Sequence, residues 1–104
     1  MLKKENRLTT KEFEEVFKKG KKIHTDTFIF IIEKNTKNGK IGISTPKKIY
    51  KNAVGRNNIK RKIYNFIQTE NLLPTNTHIL IILKNKLPEK TFQKELLELF
   101  KKNN

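Results

Sequence analysis

Apolar positions along the chain recur in two periods. Phe13, Val16 and Phe17 stand at i, i+3 and i+4, the spacing of one helix face. Thr9 and Glu12 precede them with capping-box spacing, which predicts a short helix with Thr9 as N-cap, ending near Lys19. Gly20 is its expected stop. Thr27 to Glu33 is β-branched and aromatic and reads as a strand. Alternation sends Phe28, Phe30 and Ile32 to one face and Ile29 and Ile31 to the other; burial on both faces is the default for such a run. NTKNGK follows as a turn, and its Asn38-Gly39 pair suits a hairpin. Ile41 to Thr45 would then be the returning strand, ended by Pro46, with residues 47–52 as a basic loop.

The period then changes to that of a helix. Ile59, Ile63, Phe66 and Ile67 fall at i, i+4, i+7 and i+8, one buried stripe of a helix from about Ala53 to Thr69. Leu73 and Pro74 break the pattern. His78 to Leu83 is an apolar strand, and Pro88 suits the first turn of a last helix carrying Phe92, Leu96, Leu99 and Phe100. The tail KKNN is expected to fray. The predicted order is α-β-β-α-β-α, with a further short strand near Ile23 or by Pro46. That is an α+β fold: a single-layer mixed sheet of about four strands packed with helices.

Composition narrows the class. The 104 residues fit one domain spanning 1–104. With no cysteine there is neither a disulfide nor a thiolate metal site. The runs FIFII and ILIIL are shorter than the roughly 20 residues a membrane span needs. MLKKENRL lacks the apolar segment of a secretory signal, so the expected compartment is the cytoplasm. The formal net charge of +14 attracts polyanions. Between Glu33 and Glu70 lie 36 residues with no acid and ten bases. A solvated surface would scatter acids among the bases, so segregation points to one electropositive face. A nucleic acid fits it best; an acidic protein or membrane surface remains the alternative.

Only three arginines stand among 24 basic residues, and Arg56 and Arg61 share the 53–69 helix. On a helical wheel Asn57, Lys60, Arg61 and Tyr64 lie away from the apolar stripe, with Arg56 on the flank. Arginine's planar fork matches phosphate bidentately and stacks on bases, whereas lysine is a point charge. A helix N-terminus near Arg56 adds a partial positive charge. The bland alternative is a solvated basic face that only aids solubility.

GISTPKKIYKNAVGRNNIKRKI resembles the signature region of the protein component of bacterial ribonuclease P. That family shows a strand, Lys-Lys, Ala-Val and then Arg-Asn-Arg-x-Lys-Arg on a helix; here stand Lys47, Lys48, Ala53, Val54, Arg56, Asn57, Lys60 and Arg61. The opening NRL at Asn6 to Leu8, then Phe13, Val16, Phe17 and Gly20, and the closing Leu99-Phe100 are similar too. Four features depart: Asn58 replaces the third motif arginine, the loop before Ala53 is one residue longer, Pro46 replaces a serine, and Ile31 replaces a strand aromatic. The resemblance implies a left-handed β-α-β crossover, against the usual right-handed rule. It implies that an RNA subunit cleaves, with Mg²⁺ held mainly by that RNA, while the protein grips the 5′ leader of precursor tRNA in a cleft between the first helix and the sheet. By position Phe13, Phe17 and Ile31 would line the cleft. Such a cleft needs Ile29 and Ile31 only partly covered. Arg56, Asn57, Lys60, Arg61 and Tyr64 would face RNA, with Lys47, Lys48 and Lys51 assisting. The implied partners are ribonuclease P RNA and precursor tRNA, with no membrane and no protein partner evident.

Candidates for chemistry by the polypeptide itself are thin. His24 and His78 are far apart in sequence and neither has a carboxylate beside it that the strand start does not explain. No acid cluster resembles a two-metal site. The reading is a noncatalytic subunit of an RNA-based endonuclease; the alternative is a small ribosomal or other structural RNA-binding protein.

Overall fold

The strand THILIIL sets the architecture. In the computed structural model, which describes residues 6–87 and 91–103, six of its seven side chains are buried. A strand apolar on both faces must lie inside a sheet, and this one does. The elements run α1 (Thr10–Lys19), β1 (Lys21–His24), β2 (Phe28–Lys34), β3 (Lys40–Ser44), α2 (Ala53–Thr69), β4 (Thr77–Leu83) and α3 (Phe92–Asn103). The sheet order is β1-β2-β4-β3. β4 pairs antiparallel with β2 and parallel with β3. Parallel neighbours need a crossover, and α2 supplies it. β1, the lysine-rich Lys21–His24, takes the edge, where charge discourages pairing with other chains.

The further strand near Ile23 is therefore present as β1. The expected hairpin at Asn38-Gly39 is not formed: β4 inserts between β2 and β3. A type I′ turn needs positive φ at both central residues. Among the described residues no glycine has it, and the left-handed positions belong to Asn35, Asn71 and Asn76. Gly39 answers another demand, because a Cβ there would be built into the carbonyl of Pro74. The hairpin that does form joins β1 to β2. Its turn is fastened by Thr25, whose Oγ1 accepts from Phe28 N at 3.0 Å and whose N–H donates to Phe28 O at 2.9 Å.

α1 carries the full capping box, with Glu12 N donating to Thr9 Oγ1 and Thr9 N donating to Glu12 Oε1. Asn52 caps α2 by accepting from Gly55 N at 2.7 Å. The larger core joins Phe28, Phe30 and Ile32 of β2 to Ile59, Ile63 and Ile67 of α2 and to Phe92, Leu96, Leu99 and Phe100 of α3. Across the sheet Val16 of α1 packs on Ile31 and Leu80. The alternation read from β2 thus sorts its side chains to two cores. α3 runs from Phe92 to Asn103, with Leu99 and Phe100 both buried. Pro88 lies outside the described residues.

Candidate nucleic-acid interface

The chain leading into α1 lies along the open edge of β3. Arg7 bridges to Ile41 in parallel register, and Leu8 N donates to Ile41 O at 3.1 Å. α2 stands over the same edge. Between them runs an open groove of about 630 Å³. Its walls are Arg7, Leu8, Thr9 and Phe13 on one side, and Asn57, Lys60, Arg61 and Tyr64 of α2 on the other, with Gly42 and Ile43 between. Asn57 and Arg61 are exposed and Lys60 half-buried. No carboxylate lines the groove. Phe13 also borders a small apolar hollow with Phe17. Phe17 is 48 % exposed, and the Lys22 ammonium lies 4.9 Å from its ring centroid. Phe13 therefore borders both the donor groove and the aromatic hollow.

Three expected site residues are placed differently. Ile31 is fully buried beneath α1, against Val16 and Leu80. The floor between α1 and the sheet is packed, so Ile31 lines no cleft, while Ile29 and Glu33 on that face of β2 stay partly covered. Tyr64 is 7 % exposed and belongs to the main core. On the wheel it sits among the donors, but α2 buries a wider arc because it also meets β3, where the Ile43 backbone lies against the phenol. Burial pushes its phenol up, against the opposing pull of Arg7 and the Ile43 backbone. It is a groove wall, not a free stacking platform. Arg56 is half-buried and turned from the groove, its Nη1 donating to Tyr50 O at 3.1 Å and Lys51 O at 2.9 Å. Lys47, Lys48 and Lys51 are exposed on the 46–52 loop. Lys48 and Lys51 border a separate hollow with Lys86 and do not meet Lys60 and Arg61.

Arg7 was missed as a site residue. Its Nε is buried with no hydrogen-bond partner, and the residue lines the groove on which the α2 donors converge. It lies outside the acid-free window that directed attention to the middle of the chain. Its signal was being the third of only three arginines, inside the Asn6–Leu8 segment.

Behind the groove Lys40 Nζ donates to both Glu12 oxygens at 2.9 Å. Burial alone would raise the Glu12 carboxyl, but hydrogen bonds from Thr9 and Lys40 outweigh it and hold the group at about 2. His78, buried, faces two carboxylates: Nε2 lies 4.0 Å from Glu12 Oε2 and Nδ1 3.9 Å from Glu33 Oε1. Sheet register puts them there, pairing His78 with Glu33 on one side and Lys40 on the other.

The family model named Ribonuclease P matches residues 2–104. The ribonuclease P protein component of Bacillus pumilus is 36% identical over 109 aligned residues, covering 98% of this chain and 91% of the relative. That of Rickettsia bellii is 38% identical over 90, covering 79% and 72%. Among solved structures the Staphylococcus aureus RNase P protein superposes with a TM-score of 0.79 at 25% identity, covering 95% of each chain. The Thermotoga maritima protein gives 0.78 at 24%, covering 92% and 96%, a likeness of fold. With one such match running from end to end and the same sheet and helices beneath it, the chain belongs to the ribonuclease P protein family, the protein subunits of the ribonucleoprotein endoribonuclease of tRNA 5′ maturation.

Proposed function

We propose that this chain binds both ribonuclease P RNA and the 5′ leader of precursor tRNA in the cytoplasm, through the groove and the aromatic track that leaves it. One observation carries the reading: Arg7, Lys60, Arg61 and Asn57 converge on one groove without a carboxylate, and Phe13 joins it to exposed Phe17. Cations there lessen repulsion between two RNAs, so substrate approaches at lower Mg²⁺. Aromatic and apolar contacts to a single-stranded leader favour precursor over mature tRNA, which lacks it; base stacking of this kind is worth about 1–3 kcal/mol per base. The groove's donor set does not fit Mg²⁺, a hard cation that takes oxygen ligands. The metal belongs with the RNA, and the polypeptide supplies binding and orientation.

Reconstitution tests this. Added to ribonuclease P RNA, the chain should lower the Mg²⁺ needed to process precursor tRNA and should bind precursor more tightly than mature tRNA. No effect on processing, with tight binding to ribosomal RNA, would overturn the reading.

A second expected result concerns Arg61. If about six duplex phosphates are met, the log–log salt slope of RNA binding should be near −5. Arg61→Ala should flatten it by about one and weaken binding by roughly 1–2 kcal/mol, the value of a charge-assisted bond. Unchanged binding with lost folding stability, followed by circular dichroism, would assign Arg61 to the fold.

A further inference from the structure

The 46–52 loop carries three exposed lysines and is fastened at two points. Ile49 N and Tyr50 N both donate to Pro46 O, at 3.1 and 3.2 Å, closing the loop on itself. Tyr50 Oη accepts from Leu87 N at 2.9 Å, tying it to the connection that follows β4. Arg56 ties it to α2 through Tyr50 O and Lys51 O. These acceptors are neutral carbonyls, and no acid stands in the first turn of α2. The guanidinium therefore keeps its charge beside the positive helix end, a placement with an electrostatic cost. Lys47, Lys48 and Lys51 repel one another in addition, so a loose loop would spread them. Ordering such a loop on binding costs affinity that a fixed loop keeps.

We infer that Arg56 is a positioning residue: it clasps the 46–52 loop so that Lys47, Lys48 and Lys51 meet RNA phosphates as one preset array, and it does not itself read the RNA. This rests on the RNA-binding reading above and reassigns one residue within it. Lysine at 56 would keep the charge but not the preset grip: both bonds come from Nη1 of a planar, preorganised group, whereas an ammonium on a flexible stem loses more freedom in making them.

The test is a set of variants of the full chain, with affinity measured on ribonuclease P RNA at fixed salt. Arg56→Lys should lose about as much affinity as Arg56→Ala, on the order of tenfold, if preorganisation and not charge is removed. Replacing Lys47, Lys48 and Lys51 together by alanine should weaken binding by about tenfold or more in the parent chain. In the Arg56→Ala background the same change should cost less than about twofold, because coupled groups are non-additive. Amide exchange at Ile49 and Tyr50 should speed by about tenfold in Arg56→Lys while Ile63 stays protected. That readout stands even if Arg56→Ala folds poorly. Near-parental affinity for Arg56→Lys, losses that multiply in the combined variant, unchanged exchange at Tyr50, or a silent lysine triple variant while Arg61→Ala still weakens binding would each overturn the clasp alone. If neither Arg61→Ala nor the triple variant weakens binding, the RNA-binding reading itself fails.

Discussion

Replacing Ile31 by alanine is expected to cost about 3–4 kcal/mol of folding stability and to leave the RNA affinity of the folded protein close to the parent's. The side chain is fully buried between Val16 of α1 and Leu80 of β4, and large-to-small changes at such sites cost about 2–5 kcal/mol. The upper part of that range applies where neighbours cannot collapse into the space. β2 is held on both sides by β1 and β4, so its backbone cannot follow. α1 is pinned at one end by Glu12 and at the other by Gly20, where an added Cβ would lie 2.5 Å from Ile31 Cγ2. A urea titration with an unchanged slope would report the loss cleanly. The opposite pattern, intact stability with weakened binding of leader-bearing RNA, would show that Ile31 serves a cleft after all.

That placement bears on what the residues disclose before any coordinates. The boundaries of α2 were legible because its periodicity begins after the basic loop and stops at the break that holds Leu73 and Pro74, all of them local signals. The partner of β2 was not, since pairing is non-local: Asn38-Gly39 satisfies a turn rule, while the competing pull is the greater burial demanded by Thr77–Leu83. The run ILIIL against the plainer KIGIS could have marked β4 as the inner strand. Asn57, Lys60 and Arg61 lie far enough from the apolar stripe for a wheel to place them on the groove. The wheel sets Tyr64 among these donors and Arg56 on the flank, but how far each is buried depends on what α2 meets along its sides. Arg56 spends its Nη1 on carbonyls five and six residues back, a choice no spacing rule encodes. His78 looked solitary because its carboxylates come from α1 and β2, and only the sheet register brings Glu33 opposite it.

The Glu12–Lys40 pair should make the protein acid-sensitive in a defined window. Glu12 ordinarily titrates near 4.5 and is held at about 2 in the fold. A carboxyl depressed by folding binds its proton more readily in the unfolded chain, so its contribution is fully present above about pH 5. It is lost as pH falls from there toward 2. A shift of this size corresponds to about 3 kcal/mol, and to about 2 kcal/mol once screening at a side chain 24 % exposed is allowed for. Glu12→Gln isolates it, because glutamine can still accept from the Thr9 N–H in the capping box but cannot pair with Lys40. Stability measured by denaturant titration should differ between parent and variant by about 2 kcal/mol at pH 7. The difference should close near pH 2; one that persisted there would assign the effect to packing. The consequence reaches the groove, since Glu12 joins α1 to β3 one residue before Phe13. Below the window α1 loses its charged tie to the sheet while Val16 still packs on Ile31 and Leu80. RNA binding by the folded protein should therefore hold through mild acid, because Glu12 keeps its charge and its tie to Lys40 down to about pH 2.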